Sequence, residues 1–309
     1  MIPEAAIRRY AGENRVDVSV ARQEIVLSIL LERVFSHDEL RDSVALKGGT
    51  ALRKLVFGSA GRFSEDMDFV TLVDDNDGIQ TELIGLLVDE DAAARDGVRV
   101  LEFDFEQSTQ GTVQATCEFQ SERGPGRFDL DITGGEGRQP LLGTISQPPL
   151  QQSYFGQLGF TPTSIRRLET VEMIAEKVAS VHRRYENRNP KDVWDLWKWT
   201  QLPSANDEMS LVERLWPVRL WLDGQRWRGP GWFKRVEAFA FDWARLRAML
   251  PQGRGAEGNA IVRELGQRLA PWIDRDDHHL LEDAGVGRHR AKAIEQLDSG
   301  RRAMRDRAS

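Results

Sequence analysis

The stretch that decides the fold is LKGGTALRK at residues 46–54, followed after a short connector by GRFSEDMDF at residues 61–69. An apolar run meets two adjacent glycines there, Gly48 and Gly49, which let the backbone take positive φ and come close to a ligand. A helix-forming segment follows with Thr50 as its expected N-cap, so that free backbone N–H groups would face an anion. The first half of the stretch therefore predicts a phosphate-binding turn.

The second half of the stretch places Asp66 and Asp68 one residue apart. In a strand both carboxylates point to one face, together with Ser64, while Met67 and Phe69 point to the other. Carboxylate oxygens are hard ligands, so two of them beside a phosphate-binding turn favour Mg²⁺-dependent phosphoryl or nucleotidyl transfer. The same residues also fit a loop with structural glycines and a solvated, acidic strand end.

The order of glycine pair, helix and Asp-x-Asp resembles the signature of the nucleotidyltransferase superfamily. Within it, residues 46–52 and 62–69 are similar to the AbiEii/MenT group, the toxin components of abortive-infection and type IV toxin–antitoxin systems. The resemblance covers residues 20 to 200 or so. It implies an α+β fold, in which a mixed sheet of the nucleotidyltransferase type is flanked by helices and followed by a mainly helical C-terminal domain.

The resemblance also implies a third carboxylate on a neighbouring strand. Asp129 and Asp131, in the segment RFDLDIT at residues 127–133, both lie between apolar residues and would share a face. We favour Asp131 and keep Asp129 as the alternative. A third acid near the first two would complete a metal site or take the proton of the attacking hydroxyl. The expected metal is Mg²⁺, with Mn²⁺ as the alternative.

A second informative stretch is the predicted helix at residues 170–185. Lys177 and Arg184 lie about two turns apart on it and project in the same direction. The resemblance implies that Lys177 holds triphosphate oxygens and that Asp195, or Asp192, positions this lysine or the base. It also implies that Arg184 clamps phosphate or RNA backbone, a contact that a guanidinium makes well.

The expected site has two sets of residues. The catalytic set consists of Asp66, Asp68, Asp131, Lys177 and Asp195. The nucleotide-binding set consists of Lys47, Gly48, Gly49, Thr50, Lys54, Ser64 and Arg184.

Composition limits the class of protein. The chain has 309 residues, 40% of them hydrophobic and 29% charged, as in ordinary globular proteins. The net charge of −7 gives no overall basic character that would indicate nucleic-acid binding. The single Cys117 excludes an internal disulfide and suits a reducing cytoplasm. Neither a signal peptide nor a membrane span is expected, so the prediction is a cytoplasmic protein.

A glycine- and proline-rich connector between residues 135 and 163 predicts a domain boundary. We divide the chain into a catalytic domain at 1–150 and a mainly helical domain at 151–309, which would contribute Lys177 and Asp195 to the cleft. Nine tryptophans, all after residue 190, are expected mostly in the core of the second domain. Further elements are expected as follows: helices at 16–41, 79–90, 211–222, 232–249 and 260–273, antiparallel strands at 98–105 and 112–119, and a basic tail at 287–307.

The function expected from the residues and the resemblance together is that of a nucleotidyltransferase toxin. It would transfer a nucleoside monophosphate from an NTP to RNA and so block translation, and the resemblance points to the 3′ acceptor end of tRNA. The resemblance also implies a cognate antitoxin encoded nearby. The alternatives are an enzyme that modifies a small molecule or a protein hydroxyl, and an inactive interaction module.

Overall fold

The fold is seen in a computed structural model that describes residues 2–107, 112–121, 124–134, 140–223, 225, 228–251 and 257–275. The predicted basic tail at 287–307 lies outside these residues. The chain divides into two compact units. The first contains Met1–Pro140, Ile145–Leu168 and Ala248–Arg254, and the second contains Leu141–Thr144, Glu169–Arg247 and Gly255–Ser309. The sequence suggested one division near residue 150, whereas the chain passes between the units several times.

The first unit carries the strands and seven of the helices. The helices are α1 (Glu4–Asn14), α2 (Val18–Phe35), α3 (Leu40–Ser43), α4 (Gly48–Leu52), α5 (Asn76–Val88), α6 (Glu90–Asp96) and α7 (Phe155–Leu158), with a π turn at Arg53–Phe57 and a 3₁₀ turn at Gly58–Ala60. The strands are β1 (Val44–Lys47), β2 (Asp66–Thr71), β3 (Val98–Gln107), β4 (Thr112–Ser121), β5 (Gly124–Thr133), β6 (Ile145–Ser146) and β7 (Arg167–Leu168).

Within the described residues, seven strands form one mixed sheet in the order β3-β4-β5-β2-β1-β7-β6. The pairs β2–β5 and β1–β7 are parallel, and the other neighbours are antiparallel. The strand that carries the Asp-x-Asp motif therefore lies between β1, which leads into the glycine pair, and β5, which carries the second pair of acids.

The core of the first unit forms between α2 and one face of this sheet. Asp17 starts α2 at Val18 because its side chain accepts a hydrogen bond from the Ser19 N–H at 2.7 Å. The rings of Phe35 on α2 and Phe69 on β2 lie 6.3 Å apart, and both side chains are buried. Helix α2 thus covers the face opposite the carboxylates.

The second unit is helical in its described part. Its helices are α8 (Thr170–Arg184), α9 (Lys191–Thr200), α10 (Ala205–Leu222), α11 (Trp232–Glu237), α12 (Trp243–Ala248, of which all but the last residue belong here) and α13 (Gly258–Ile273), with a 3₁₀ turn at Tyr185–Asn187. Trp194, Trp199, Trp216 and Trp232 are fully buried, so the expectation that tryptophans build this core is confirmed for them.

Most of the predicted elements are present, and four differ, one of them the helix expected at 211–222, which is the longer α10 and begins at Ala205. The α+β class, the first buried strand and the antiparallel pair β3–β4 are confirmed. The helix expected at 16–41 ends at Phe35, before the separate α3. The helix expected at 79–90 is the longer α5, and the single helix expected at 232–249 is broken between Glu237 and Trp243. The Asp242 N–H bonds to the Arg188 carbonyl at 2.9 Å, which fixes that break.

None of the helices in the described residues combines the length and the apolar character that a membrane crossing requires.

Candidate active site

The glycine pair forms a tight turn between β1 and α4. Gly48 has a φ of +71°, a conformation that L side chains rarely adopt. A Cβ atom built on Gly48 would lie 1.9 Å from Oδ2 of Asp68, and one built on Gly49 would lie 2.5 Å from Nη2 of Arg62. Glycine is therefore favoured at Gly48 by both contact and backbone conformation, whereas a side chain at Gly49 would have to displace the guanidinium of Arg62.

The acids of β2 and β5 lie side by side. In the parallel pairing Asp66 is opposite Asp129, and Asp68 is opposite Asp131. Met67 between the first two acids is fully buried, so all four carboxylates share the other face of the sheet. Adjacent strands are about 4.8 Å apart, which is close enough for acids on both strands to act on one ligand.

The two acids of β5 differ in their surroundings. Asp131 accepts hydrogen bonds at both oxygens, from Nε2 of Gln114 at 2.9 Å and from the Thr133 hydroxyl at 3.0 Å. Asp129 accepts one from the Thr116 hydroxyl at 3.1 Å and is the more exposed of the two. Asp131 is thus held in place, whereas Asp129 faces outward.

The acid pair of β2 fits a divalent cation by its chemistry. Within the described part of the chain, no group of three or more His, Cys, Asp or Glu side chains is placed to hold a metal ion. Mg²⁺ in phosphoryl-transfer sites is typically bound by one or two carboxylates together with substrate phosphates rather than by a complete protein cage. Asp66 and Asp68, half-buried beside the glycine turn, supply such a pair.

Two residues predicted to bind nucleotide are placed differently from the prediction. Helix α4 begins at Gly48, so Thr50 is not its N-cap, and the Thr50 hydroxyl donates to the Asp66 carbonyl instead. The Lys54 side chain is 0% exposed, and its Nζ lies 2.9 Å from Oε1 of Glu24 and 2.8 Å from Ser28 Oγ. Burial lowers the pKa of Lys54. An ammonium buried and paired in this way is not presented to a bound phosphate, so its placement does not support the nucleotide-binding role predicted for Lys54.

The other residues of this region lie close to the glycine turn. Lys47 is half-exposed at the end of β1. Ser64 is buried, and its hydroxyl lies 3.2 Å from the position that a Cβ of Gly49 would take. Arg62, which the sequence analysis did not include, is also buried against Gly49. Arg62 belongs to the stretch at residues 61–69, but nothing in the sequence pattern indicated that its side chain packs against Gly49.

The second unit brings Lys177 together with both candidate acids of α9. Nζ of Lys177 lies 2.6 Å from Oδ1 of Asp192 and 3.4 Å from Oδ2 of Asp195. The Ser180 hydroxyl donates to the other oxygen of Asp192 at 2.6 Å, and Nε of Arg184 donates to Ser180 at 2.8 Å. Ser180 was missed, although its spacing from Lys177 and Arg184 puts it on the same helix face.

The electrostatics of this cluster favour the ionised form of Asp192. Burial by itself would raise the pKa of Asp192, but the charges of Lys177 and Arg184 outweigh it, together with hydrogen bonds from Lys177 and Ser180. The pKa therefore lies well below its ordinary value. Asp195 is buried and approaches the same ammonium, so both acids orient Lys177.

Comparisons with known proteins identify one family and its fold. The profile of the family "Nucleotidyl transferase AbiEii toxin, Type IV TA system" matches residues 29–254. The nucleotidyltransferase toxin MenT4 from Mycobacterium tuberculosis H37Rv has a similar structure, with a TM-score of 0.74 and 22% identity over 97% of this chain and 100% of that one. JHP933 from Helicobacter pylori is similar at a TM-score of 0.51 and 15% identity, over 91% of this chain and 99% of the other. These structural likenesses show the fold. No curated protein gives a significant match.

Proposed function

The chain belongs to the AbiEii family of nucleotidyltransferase toxins of type IV toxin–antitoxin systems, and on that premise we propose that it transfers a nucleoside monophosphate from an NTP to RNA. The acceptor we propose is a 3′-hydroxyl, that of the tRNA acceptor end, which would block translation. The place of action is the cytoplasm, and the partner is an antitoxin encoded nearby.

The observation that carries the proposal is the contact between the glycine turn and the acid pair. Gly48 lies directly against Asp68, and Asp66 lies two residues before it on the same face. A phosphate bound by the backbone N–H groups of this turn would therefore be beside both carboxylates. Lys47, half-exposed at the end of β1, supplies a positive charge to the same phosphates.

Asp66 and Asp68 would hold a divalent metal ion, which we take to be Mg²⁺ or Mn²⁺, and Asp131 would be the third carboxylate that takes the proton of the attacking hydroxyl. When bound, the ion would neutralise charge on the phosphate and on the leaving group. The hydrogen bonds from Gln114 and Thr133 keep Asp131 in a fixed orientation beside Asp68. Fixed carboxylates lower the cost of organising the site at the moment of reaction.

Lys177 and Arg184 supply cations for phosphate oxygens from the second unit. Asp192 and Asp195 orient the Lys177 ammonium, while Arg184 stays exposed at its guanidinium and suits a bidentate phosphate contact. We also propose that Lys177 and Arg184 act on the same substrate as the acids of the first unit. The division of the chain into a catalytic and a helical domain is proposed as well.

Label transfer tests the proposal. The purified protein is incubated with each of the four α-labelled NTPs and total tRNA, with Mg²⁺, with Mn²⁺ and with a chelator. We expect metal-dependent transfer of label to RNA, and a loss of orders of magnitude in Asp66→Ala and Asp68→Ala because the metal ligands are removed. Asp38→Asn, an exposed carboxylate with 87% of its side chain accessible, is the matched control.

The outcomes separate the alternative functions. Label that appears only on a protein or a small molecule would contradict the RNA acceptor while leaving the transferase intact. Absence of transfer to any acceptor, with wild-type protein that is folded, would indicate an inactive interaction module. Wild-type rates in both aspartate variants would contradict the metal-binding role of the acid pair.

A further inference from the structure

A cavity of about 410 Å³ lies in the first unit beside the start of β5. Its volume is within the range of about 300–1,000 Å³ that small-molecule sites occupy. The lining residues that matter here are Val20, Gln23, Phe63, Ser64, Asp129 and Met249. Because Asp129 lines the cavity and lies opposite Asp66, the cavity borders the face of the sheet that carries the carboxylates.

The cavity exists because β2 is shorter than its neighbour. Pairing between β2 and β5 begins at Asp66 and Asp129, so the earlier residues of β5 face the cavity instead of a strand. Its walls are tied together by hydrogen bonds. The Phe63 N–H donates to the Met249 carbonyl at 2.8 Å, and Nε2 of Gln23 donates to the Arg127 carbonyl at 2.5 Å.

The lining combines flat apolar surface with polar groups. Phe63 and Met249 are buried and present apolar surface to the cavity. Ser64 is 2% exposed, and its hydroxyl has no hydrogen-bond partner within the described residues. Arg22 and Arg127 also line the cavity. A nucleobase with its sugar and a following phosphate matches this combination, since bases stack on aromatic side chains such as Phe63 and phosphates bind guanidinium groups.

The position of the cavity relative to the glycine turn decides which nucleotide it receives. Strand β2 lies between β1, which leads into the glycine turn, and β5, whose residues Gly126 to Asp129 line the cavity. In phosphoryl transfer the attacking and the leaving oxygens are roughly in line. Pyrophosphate that leaves on the side of the glycine turn therefore requires an attacking hydroxyl on the side of β5.

We propose that this cavity binds the 3′-terminal nucleoside of the acceptor RNA and directs its 3′-hydroxyl at the acid pair of β2. This inference rests on the proposed function. In the step, the bond between the 3′-oxygen and the α-phosphorus forms, the bond from that phosphorus to the bridging oxygen breaks, and pyrophosphate leaves. The hydroxyl proton passes to solvent or to a carboxylate of the site. Asp129 supplies a hydrogen-bond acceptor for the ribose hydroxyls.

Filling the cavity tests the inference. Val20 lines the cavity, whereas Val18, two residues earlier on α2 and 41% exposed, does not. Val20→Trp is therefore the test variant and Val18→Trp the matched control. Binding is measured by fluorescence anisotropy with four 5′-labelled RNA trinucleotides that differ in the 3′-terminal base. Competition with the four α,β-methylene NTP analogues measures binding of the donor.

We expect wild-type protein to bind at least one trinucleotide, and Val20→Trp to weaken that binding about tenfold or more, the loss expected when one base cannot insert. Affinity for the NTP analogues should stay within about twofold, and Val18→Trp should change neither affinity. Val20→Phe replaces the test variant if Val20→Trp does not fold.

Three results would overturn the inference: unchanged trinucleotide affinity in a folded Val20 variant, loss of NTP-analogue affinity instead, or a wild type that binds none of the trinucleotides. Label transfer, measured separately, distinguishes failure of the cavity assignment from failure of the proposed catalytic function. Transfer to RNA that is indifferent to Val20→Trp refutes the cavity assignment alone. Trinucleotide binding that depends on Val20, without any transfer, refutes the catalytic proposal alone.

Discussion

A Cβ atom at Gly48 would lie 1.9 Å from Oδ2 of Asp68, so the glycine turn and the acid pair cannot be changed independently. The contact joins the end of β1 to the middle of β2. Any side chain at residue 48 has to displace the carboxylate that we assign to the metal. The sequence motif is thus a single packed unit, although its two halves lie twenty residues apart.

Gly48→Ala should abolish nucleotidyl transfer. The new methyl group would force Asp68 out of position, and the φ of +71° would be strained as well. Gly159 is the matched control, because its φ is also +71° and no atom lies within 4 Å of its Cβ position. Both variants should lose about 1–2 kcal/mol of unfolding free energy, measured by urea denaturation, but only Gly48→Ala should lose activity. Equal activity in the two variants would contradict the contact.

Lys177→Ala should raise the Michaelis constant for NTP by about tenfold and lower kcat as well, because a cation on a phosphate acts in both the ground state and the transition state. Steady-state kinetics over a range of NTP concentrations would measure both constants. Lys177→Arg keeps the charge and should retain part of the activity. An effect on thermal stability alone would make Lys177 a structural residue of the Asp192 and Asp195 cluster.

Lys54→Met should behave in the opposite way. Its ammonium is paired with Glu24 in the interior, and breaking a buried pair on one side costs about 3–5 kcal/mol. We expect a large loss of unfolding free energy and, at a temperature where the variant is folded, an unchanged Michaelis constant for NTP. A raised Michaelis constant without loss of stability would restore Lys54 to the nucleotide site. The double variant Glu24→Leu with Lys54→Met should recover little of the stability, because Glu24 also pairs with the buried Arg53 at 3.7 Å and that guanidinium would lose its carboxylate.

Alternation along a strand was enough to predict that Asp66 and Asp68 share a face, because that inference needs only local geometry. Register was not predictable. Nothing in the segment at 127–133 shows that it pairs in parallel with β2, so that Asp129 meets Asp66 and Asp131 meets Asp68. That pairing depends on contacts between residues far apart in sequence. The buried ion pair between Lys54 and Glu24 was not predictable for the same reason, because it too joins residues far apart in sequence.

Local rules also failed where tertiary contacts compete with them. Thr50 is a good N-cap residue, yet its hydroxyl bonds to β2, because Gly48 already allows the chain to turn into the helix. Residues 232–249 have a helical pattern throughout, yet the Arg188 carbonyl takes the N–H of Asp242 and fixes a break. The Lys177 cluster was predicted more fully, because its helix spacing is local.

Stability should fall between about pH 5 and pH 7 through the titration of Glu172. Burial raises the pKa of Glu172 to about 7, although Arg219 and the N–H groups of Leu141 and Leu142 oppose this shift. A raised pKa means that the folded state holds the proton more tightly than the unfolded chain. The resulting stabilisation is complete below the unfolded value and is lost as pH rises through 7. Its size is about 3 kcal/mol.

Glu172→Gln should remove much of this dependence. Thermal unfolding of wild type and variant at pH 5 and pH 7.5 would measure it, with Asp38→Asn as the exposed control. A wild type equally stable at the two values, or a variant with the same pH slope as wild type, would show that Glu172 is ionised throughout this range.

The Ser64 hydroxyl is buried without a hydrogen-bond partner among the described residues, so Ser64→Ala should leave the free energy of unfolding unchanged or raise it by up to about 1 kcal/mol. Removing a hydroxyl that makes no hydrogen bond breaks no bond and removes a buried polar group. Because Ser64 lines the cavity beside Asp129, we expect the Michaelis constant for RNA to rise. The constant for NTP should not change. Ser64→Gln, which fills the space beside Gly49 without adding charge, should lose activity altogether. A rise in the NTP constant alone would place the hydroxyl on the donor phosphates, and unchanged constants for both substrates would leave Ser64 with no part in binding.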